Sequence, residues 1–167
     1  MTDSAPAGVI EGSAVVITCS TRAAAGIYPD RSGPIIAEAL RDWGLTVNGV
    51  VVVADGPEVE VALRAAISSG AALVVTTGGT GLTPTDRTPE ATQRVVERLV
   101  PGIAEAIRAA GVRAGIPSAM LSRGISGVAA RSLVVNLPGS TGGVRDGLAV
   151  LEPVVAHAFS QIQGGDH

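Results

Sequence analysis

Hydrophobic residues follow two alternating patterns along the chain. Short apolar runs without clean alternation are typical of strands buried on both faces of a sheet, and they occur at residues 14–18, 47–54, 71–77 and 133–137. Apolar residues at helical spacing predict helices between these runs, at residues 32–43, 59–69, 89–98, 101–110 and 142–161. Because proline has no N–H to donate, we expect Pro153 to kink or divide the last helix.

Strands that alternate with helices predict an α/β fold built from parallel strand–helix–strand units. Residues 116–131 fit this scheme less well, and their glycines suit either a short hairpin or an irregular excursion. A chain of 167 residues is long enough for one domain with a buried core. We expect that domain at residues 13–162, with a loose arm at residues 1–12 and a frayed tail at residues 163–167.

Composition favours a compact domain in a reducing compartment. Hydrophobic residues make up 46% of the chain, and the mean hydropathy of +0.41 argues against a disordered chain. The three aromatic residues and the net charge of −3 argue against nucleic-acid binding. The single Cys19 cannot form an intramolecular disulfide, and we find neither a run of transmembrane length nor an N-terminal signal segment. We therefore expect a cytoplasmic protein without membrane contact.

The segment after the third predicted strand carries the strongest chemical signal. Gly78, Gly79 and Gly81 let the backbone turn tightly, and the N–H groups of such a loop can converge on phosphate. Asp86 places a carboxylate beside this loop, which suggests either a bridging Mg²⁺ or a proton acceptor. All 12 basic residues are arginine, which excludes a Walker-type lysine. A nucleotide or a phosphorylated small molecule is therefore the leading ligand.

Two further segments follow predicted strands and could reach the same crevice. Residues 138–143 form a second glycine-rich loop that could bind another anion, although a tight turn with Ser140 or Thr141 as helix N-cap explains it equally well. Asp55 ends the strand at residues 47–54, and ligands bind at the carboxyl ends of parallel strands. Taken singly, Asp55 suits an ordinary turn and Asp86 a helix cap. Together beside a glycine loop, they favour a functional role.

Five motifs occur in a fixed order along the chain. They are DRSGP at residues 30–34, TGGTG at 77–81, DRTPEAT at 86–92, MLSR at 120–123 and NLPG at 136–139. Together they closely resemble the molybdopterin adenylyltransferase family of the MogA/MoaB type, which is similar to the G domain of gephyrin. The resemblance runs from about residue 15 to residue 161, and a flavodoxin-like domain would explain the loops but not the ordered motifs.

The resemblance implies a three-layer α/β/α sandwich with a mostly parallel central sheet, assembled as a homotrimer. It also implies a role in molybdenum cofactor synthesis, in which the terminal phosphate of molybdopterin attacks the α-phosphate of ATP and pyrophosphate leaves. A molybdenum-inserting partner would then take the product. By motif match, Asp55 and Asp86 correspond to the important acidic residues, with Mg²⁺ held near them. The match assigns substrate binding to a further set of residues: Thr77, Gly78, Gly79, Thr80, Gly81, Ser122, Pro138, Gly139 and Ser140.

Thr21 departs from the family pattern, in which many members carry Asp at this position. The alternative function is accordingly a non-catalytic molybdopterin-binding paralogue of the MoaB type, or a scaffold. Retention of both Asp55 and Asp86 favours the enzyme.

Overall fold

The structure, a computed structural model, describes residues 10–165 and contains one six-stranded sheet. The strands are β1 (Ser13–Cys19), β2 (Thr46–Val53), β3 (Leu73–Thr77), β4 (Arg98–Leu99), β5 (Ser126–Ala129) and β6 (Ser132–Leu137). Their order across the sheet is β2-β1-β3-β6-β5-β4. The first four strands in this order are parallel, whereas β5 and β4 add an antiparallel edge.

In the described part of the chain, six α-helices and one 3₁₀ helix surround the sheet. The helices are α1 (Thr21–Ala24), α2 (Ser32–Asp42), α3 (Pro57–Ser68), α4 (Thr88–Val95), α5 (Pro101–Arg113) and α6 (Thr141–Ile162), and the 3₁₀ helix spans Pro117–Leu121. Helices α2, α5 and α6 pack on one face of the sheet, and α3 and α4 pack on the other. Neighbouring residues of a strand point to opposite faces, so Val16 joins the first core and Ile17 joins the second. The predicted three-layer α/β/α sandwich is therefore confirmed.

The register of the parallel strands brings several strand ends to one edge of the sheet. Thr77 of β3 lies opposite Thr18 of β1 on one side and Leu137 of β6 on the other. The loops that follow β1, β3 and β6 consequently leave the sheet side by side. This edge is where an open parallel sheet binds its ligands.

Two of the predicted helices differ from the structure. The helix predicted at residues 89–98 ends at Val95, because Val96 is extended and Arg98–Leu99 pairs with β5. The last helix is not divided at Pro153, since α6 continues through it. Pro153 and Ala149 are both exposed, so the carbonyl that lacks a partner in the helix faces water.

Of the two structures considered for residues 116–131, the hairpin is present, and a 3₁₀ helix precedes it. The 3₁₀ helix comes first, and β5 then forms an antiparallel hairpin with β6. Near the start of the described chain, Ile10 is buried in the core beside α2 and α6. Residues 1–9 and 166–167 lie outside the described part, so the predicted arm and tail stay predictions. Across residues 10–165, no helix is long and apolar enough to cross a membrane.

Candidate active site

A cavity of about 920 Å³ opens at the carboxyl ends of β3 and β6. One wall consists of the two glycine-rich loops, residues 78–81 and 138–143, and the opposite wall consists of the end of α5 and the 3₁₀ helix. The predicted site residues that line it are Gly78, Gly79, Thr80, Gly81, Asp86, Ser122, Pro138, Gly139 and Ser140. Its opposite wall adds apolar side chains at Ile116 and Leu121. The cavity thus pairs a wall of backbone amides with a largely apolar wall, and Arg145 and Asp146 of α6 add charged side chains to its lining.

The first glycine loop, residues 78–81, has a backbone that side chains would disturb. Gly78 and Gly79 have φ values of +91° and +67°, which L-residues rarely adopt. A Cβ on Gly78 would lie 2.5 Å from the carbonyl oxygen of Cys19, so β1 packs directly against the turn. The Gly78 N–H donates to Leu137 and is therefore not available to a ligand.

Three other amides of this loop remain available. Within the described residues, the N–H groups of Gly79, Thr80 and Gly81 donate to no protein acceptor. Consecutive unpaired amides in a tight turn form a concave site that suits an anion. Three of the four N–H groups in this loop are thus available for the predicted binding of phosphate.

The second glycine loop is fastened to the first. The Thr77 hydroxyl donates to the carbonyl oxygen of Pro138 at 2.7 Å, and a Cβ on Gly139 would lie 3.3 Å from the Cα of Gly78. Thr77 is buried and does not line the cavity, so its side chain connects the loops. The Ser140 side chain caps α6 by accepting from the N–H of Gly143 at 3.1 Å, as one of the two alternatives proposed. The N-terminus of this 22-residue helix also faces the cavity, where its dipole favours an anion.

Asp55 reaches the first glycine loop from the neighbouring part of the sheet. Its Oδ2 accepts from both the N–H and the hydroxyl of Thr21, each at 3.2 Å. Its Oδ1 is buried without a hydrogen-bond partner among residues 10–165, and a Cβ on Gly79 would lie 3.0 Å from it. The side chain therefore bonds to a residue 34 positions away and leaves one carboxylate oxygen unpaired beside the loop.

Asp86 lies at the other end of the same loop and lines the cavity. Its Oδ2 accepts from the N–H of Thr83 at 3.1 Å, and a Cβ on Gly81 would lie 2.7 Å from that oxygen. Helix α4 begins at Thr88 without a side-chain cap, so the alternative role of Asp86 as a helix cap is wrong. Both aspartates thus approach one loop, but only Asp86 lines the cavity; Asp55, which was predicted to reach the same crevice, lies behind Gly79.

Asp55 and Asp86 are less suited to a metal ion held by protein side chains alone than to a cation that a phosphorylated ligand also binds. Among residues 10–165, no group of three or more His, Cys, Asp or Glu side chains could hold a metal ion. Mg²⁺ is commonly bound by one or two carboxylates together with substrate phosphates. Asp86 lines the cavity, and Asp55 places its carboxylate behind Gly79 of the same loop. The residues present therefore fit Mg²⁺ that arrives with a phosphorylated ligand.

Arg123 holds the loop between the two aspartates and was not predicted to do so. Its guanidinium donates to the carbonyl oxygens of Gly81 at 2.9 Å and of Asp86 at 2.7 Å, and it also pairs with Glu90. This pairing with Arg123 lowers the pKa of Glu90 below its usual value. Sequence analysis identified Arg123 only as part of the MLSR motif, and because its partners lie more than 30 positions away, no local pattern indicates this role.

A smaller cleft of about 210 Å³ lies between the ends of β1 and β3. It shares Gly78 and Gly139 with the large cavity, and Asp30, Arg31 and Tyr28 contribute to its walls. Cys19 also borders it, but burial raises the pKa of its thiol to about 12. The thiol is therefore protonated near neutral pH, and Cys19 packs as a residue of the hydrophobic core.

Comparisons with known proteins identify relatives of the chain. It is 45% identical over 167 residues to the molybdenum cofactor biosynthesis bifunctional protein of Synechococcus elongatus, which covers 99% of the chain but only 52% of that relative. The chain thus spans about half the length of this relative. It is also 35% identical to the molybdopterin adenylyltransferase of Helicobacter pylori, over 89% of the chain and 86% of the relative.

A solved structure is also similar to most of this chain. The molybdopterin biosynthesis Mog protein of Mycobacterium ulcerans superposes with a TM-score of 0.86 at 53% identity, covering 90% of this chain and 98% of that one. The family described as "probable molybdopterin binding domain" matches residues 15–157. This match includes both glycine loops, Asp55 and Asp86. The chain therefore belongs to this molybdopterin-binding domain family.

Proposed function

We propose that this protein is a molybdopterin adenylyltransferase, which transfers AMP from ATP to the terminal phosphate of molybdopterin in molybdenum cofactor synthesis. The observation that carries the proposal is the convergence of Asp55 and Asp86 on one glycine loop at the edge of a large cavity. A site that only bound a phosphate would not need two carboxylates beside it, since like charges repel. The names of relatives that match most of the chain point to the same reaction.

The cavity suits molybdopterin because its two walls differ in chemistry. The unpaired amides of Gly79, Thr80 and Gly81, together with the N-terminus of α6, would hold the phosphate. The apolar wall that includes Ile116 and Leu121 would cover the organic rings. Ser122 and Ser118 add hydroxyl groups to that wall. The pterin would therefore be bound with its phosphate directed at the loop.

The reaction joins two anionic groups, so the protein has to position them against their repulsion. A phosphate oxygen of molybdopterin forms a bond to the α-phosphorus of ATP, and the bond to pyrophosphate breaks. The fixed loop amides would hold the attacking phosphate in place. Binding energy would then supply part of the ordering that the transition state requires, which lowers the barrier. Asp55 and Asp86 would hold Mg²⁺, which screens the triphosphate charge and stabilises the leaving pyrophosphate.

We further infer that the protein acts as a homotrimer and delivers its product to a molybdenum-inserting partner. Both statements rest on the family resemblance. The cytoplasmic location expected from the sequence stays a prediction.

The experiment that tests the function measures adenylylated pterin formed from purified protein, molybdopterin, ATP and Mg²⁺. We expect product from the unaltered protein and a loss of about a hundredfold or more in Asp86→Asn, which keeps the shape but removes the charge. Asp42→Asn makes the same change on an exposed residue at the end of α2 and should retain full activity.

Absence of product from the unaltered protein would contradict the proposal. If molybdopterin still bound tightly in that case, the alternative of a non-catalytic binding protein would take its place. Equal activity in both variants would overturn the assigned role of Asp86 while leaving the reaction intact.

A further inference from the structure

Thr21 forms a two-way connection with Asp55. Its hydroxyl donates to Asp55 Oδ2 at 3.2 Å and accepts from the Asp55 N–H at 3.1 Å, while its own N–H donates to the same Oδ2 at 3.2 Å. One threonine thus contacts both the backbone and the side chain of Asp55. Thr21 begins the short helix α1 after β1, whereas Asp55 lies in the loop after β2.

This connection determines which way the Asp55 carboxylate faces. Two donors hold Oδ2, so rotation of the carboxylate would break both hydrogen bonds. The other oxygen, Oδ1, is therefore kept buried beside Gly79 without a partner. An unpaired buried anionic oxygen is unfavourable unless a cation or donor arrives to bind it.

We propose that Thr21 is a positioning residue that fixes the Asp55 carboxylate behind Gly79, so that its charge supports magnesium–ATP binding at the first glycine loop. The inference rests on the proposed adenylyl transfer and names a residue that this transfer requires. The Thr21 hydroxyl is the group that matters, because only it can donate to Oδ2 and accept from the Asp55 N–H together.

The surroundings of Thr21 argue against a purely structural role. Thr21 is exposed at the first position of the short helix α1, where Ser20 already provides the N-cap by accepting from the N–H of Ala23. Helix α1 contains no buried residue. The fold therefore gains little from the Thr21 hydroxyl, while Asp55 loses one of its two Oδ2 donors without it.

The test compares Thr21→Val, which keeps the shape and loses the hydroxyl, with Thr21→Ser, which keeps the hydroxyl. Two quantities are measured: the Mg–ATP dissociation constant by calorimetry without molybdopterin, and kcat and KM for adenylyl transfer. We expect Thr21→Val to weaken Mg–ATP binding by about tenfold and to lower kcat/KM by a similar factor or more. Thr21→Ser should restore both to within about threefold of the unaltered protein.

Thr46→Val is the matched control, because Thr46 is an exposed threonine at the opposite end of the strand that leads to Asp55. It should change neither quantity. Thermal unfolding of each variant shows whether the fold is retained.

The outcomes separate this inference from the proposed function. Adenylyl transfer that is equal in Thr21→Val and the unaltered protein, with equal Mg–ATP binding, would overturn the role of Thr21 alone. Equal losses in Thr21→Val and Thr21→Ser would also overturn it, because the hydroxyl would then not be the cause. An unaltered protein that binds Mg–ATP through Thr21 but makes no product would instead overturn adenylyl transfer and support the positioning role.

Discussion

At the scale of single residues, Arg123 shows how one side chain can determine the shape of a site. Its contacts to Gly81, Asp86 and Glu90 span the loop from the glycine turn to the start of α4. Its backbone N–H also donates to Thr80 at 2.8 Å. The loop that carries Asp86 is thus held by a residue from the opposite side of the cavity mouth.

We expect Arg123→Gln to lower the free energy of unfolding by about 1 to 2 kcal/mol, because charged hydrogen bonds to two carbonyl oxygens are lost. Adenylyl transfer should fall more steeply than stability, since Asp86 would lose its fixed position. Urea unfolding and initial rates at pH 7 measure the two effects. Arg131→Gln, an exposed arginine in the β5–β6 turn, is the control and should change neither. A normal rate in Arg123→Gln would show that the loop keeps its shape without this contact.

The contribution of the Arg123–Glu90 pair should depend on pH in a definite direction. Because the pKa of Glu90 is lowered in the folded state, the pair stabilises the protein above the usual value of 4.5 and loses its effect as the pH falls below it. The difference in stability between the unaltered protein and Arg123→Gln should therefore narrow under acidic conditions, while the part due to the two carbonyl hydrogen bonds remains.

At the scale of elements, the two glycine loops are held together because the backbone of one loop packs directly against the backbone of the other. Gly78 lies against the carbonyl of Cys19, and Gly139 lies against Gly78. Gly78→Ala would place a methyl group at φ +91° and 2.5 Å from that carbonyl. We expect a loss of about 2 to 3 kcal/mol in unfolding free energy, together with loss of Mg–ATP-dependent activity.

Gly102→Ala provides the matched control for this substitution. Gly102 lies in the first turn of α5, and a Cβ there would meet nothing within 4 Å. Alanine should leave stability unchanged or raise it by up to about 1 kcal/mol. Similar losses in both variants would show that the close packing at Gly78 is not what makes glycine necessary there.

The spacing of apolar residues along the chain predicted the strands and helices that are determined by nearby sequence. The four main strands and most helices lie within a few residues of their predicted positions, because apolar runs and helical spacing directly reflect burial. The pattern could not predict that Arg98–Leu99 is a strand, since this two-residue segment is extended only because it pairs with Gly127 and Val128. It also could not predict that α6 tolerates Pro153, which depends on that turn facing solvent.

At the scale of the whole molecule, the sequence predicted where the site lies better than how it is held. The rule that ligands bind at the carboxyl ends of parallel strands was enough to bring both glycine loops and both aspartates to one edge. The bonds of Asp55 to Thr21 and of Arg123 to Gly81 join residues 34 and 42 positions apart. Contacts of this kind depend on the packed fold, and no short motif indicates them.

One end of β2 is left uncovered by the residues that the structure describes. Val51 and Val52 are 44% and 37% exposed, although neighbouring residues of a strand point to opposite faces. Neither helical layer therefore covers this end of β2, which lies at the edge of the sheet. An exposed apolar edge strand invites pairing or coverage by another chain.

We therefore expect the proposed homotrimer to bury this end of β2. Sedimentation equilibrium should give a mass of about three times the 16.6 kDa of the chain, and Val51→Asp should shift it toward that of the single chain, because a buried charge at the interface is unfavourable. Val61→Asp alters an equally apolar, exposed residue on α3 and serves as the control, with an unchanged mass expected. A single-chain mass for the unaltered protein would contradict the trimer, whereas a trimer that Val51→Asp leaves intact would place the interface elsewhere.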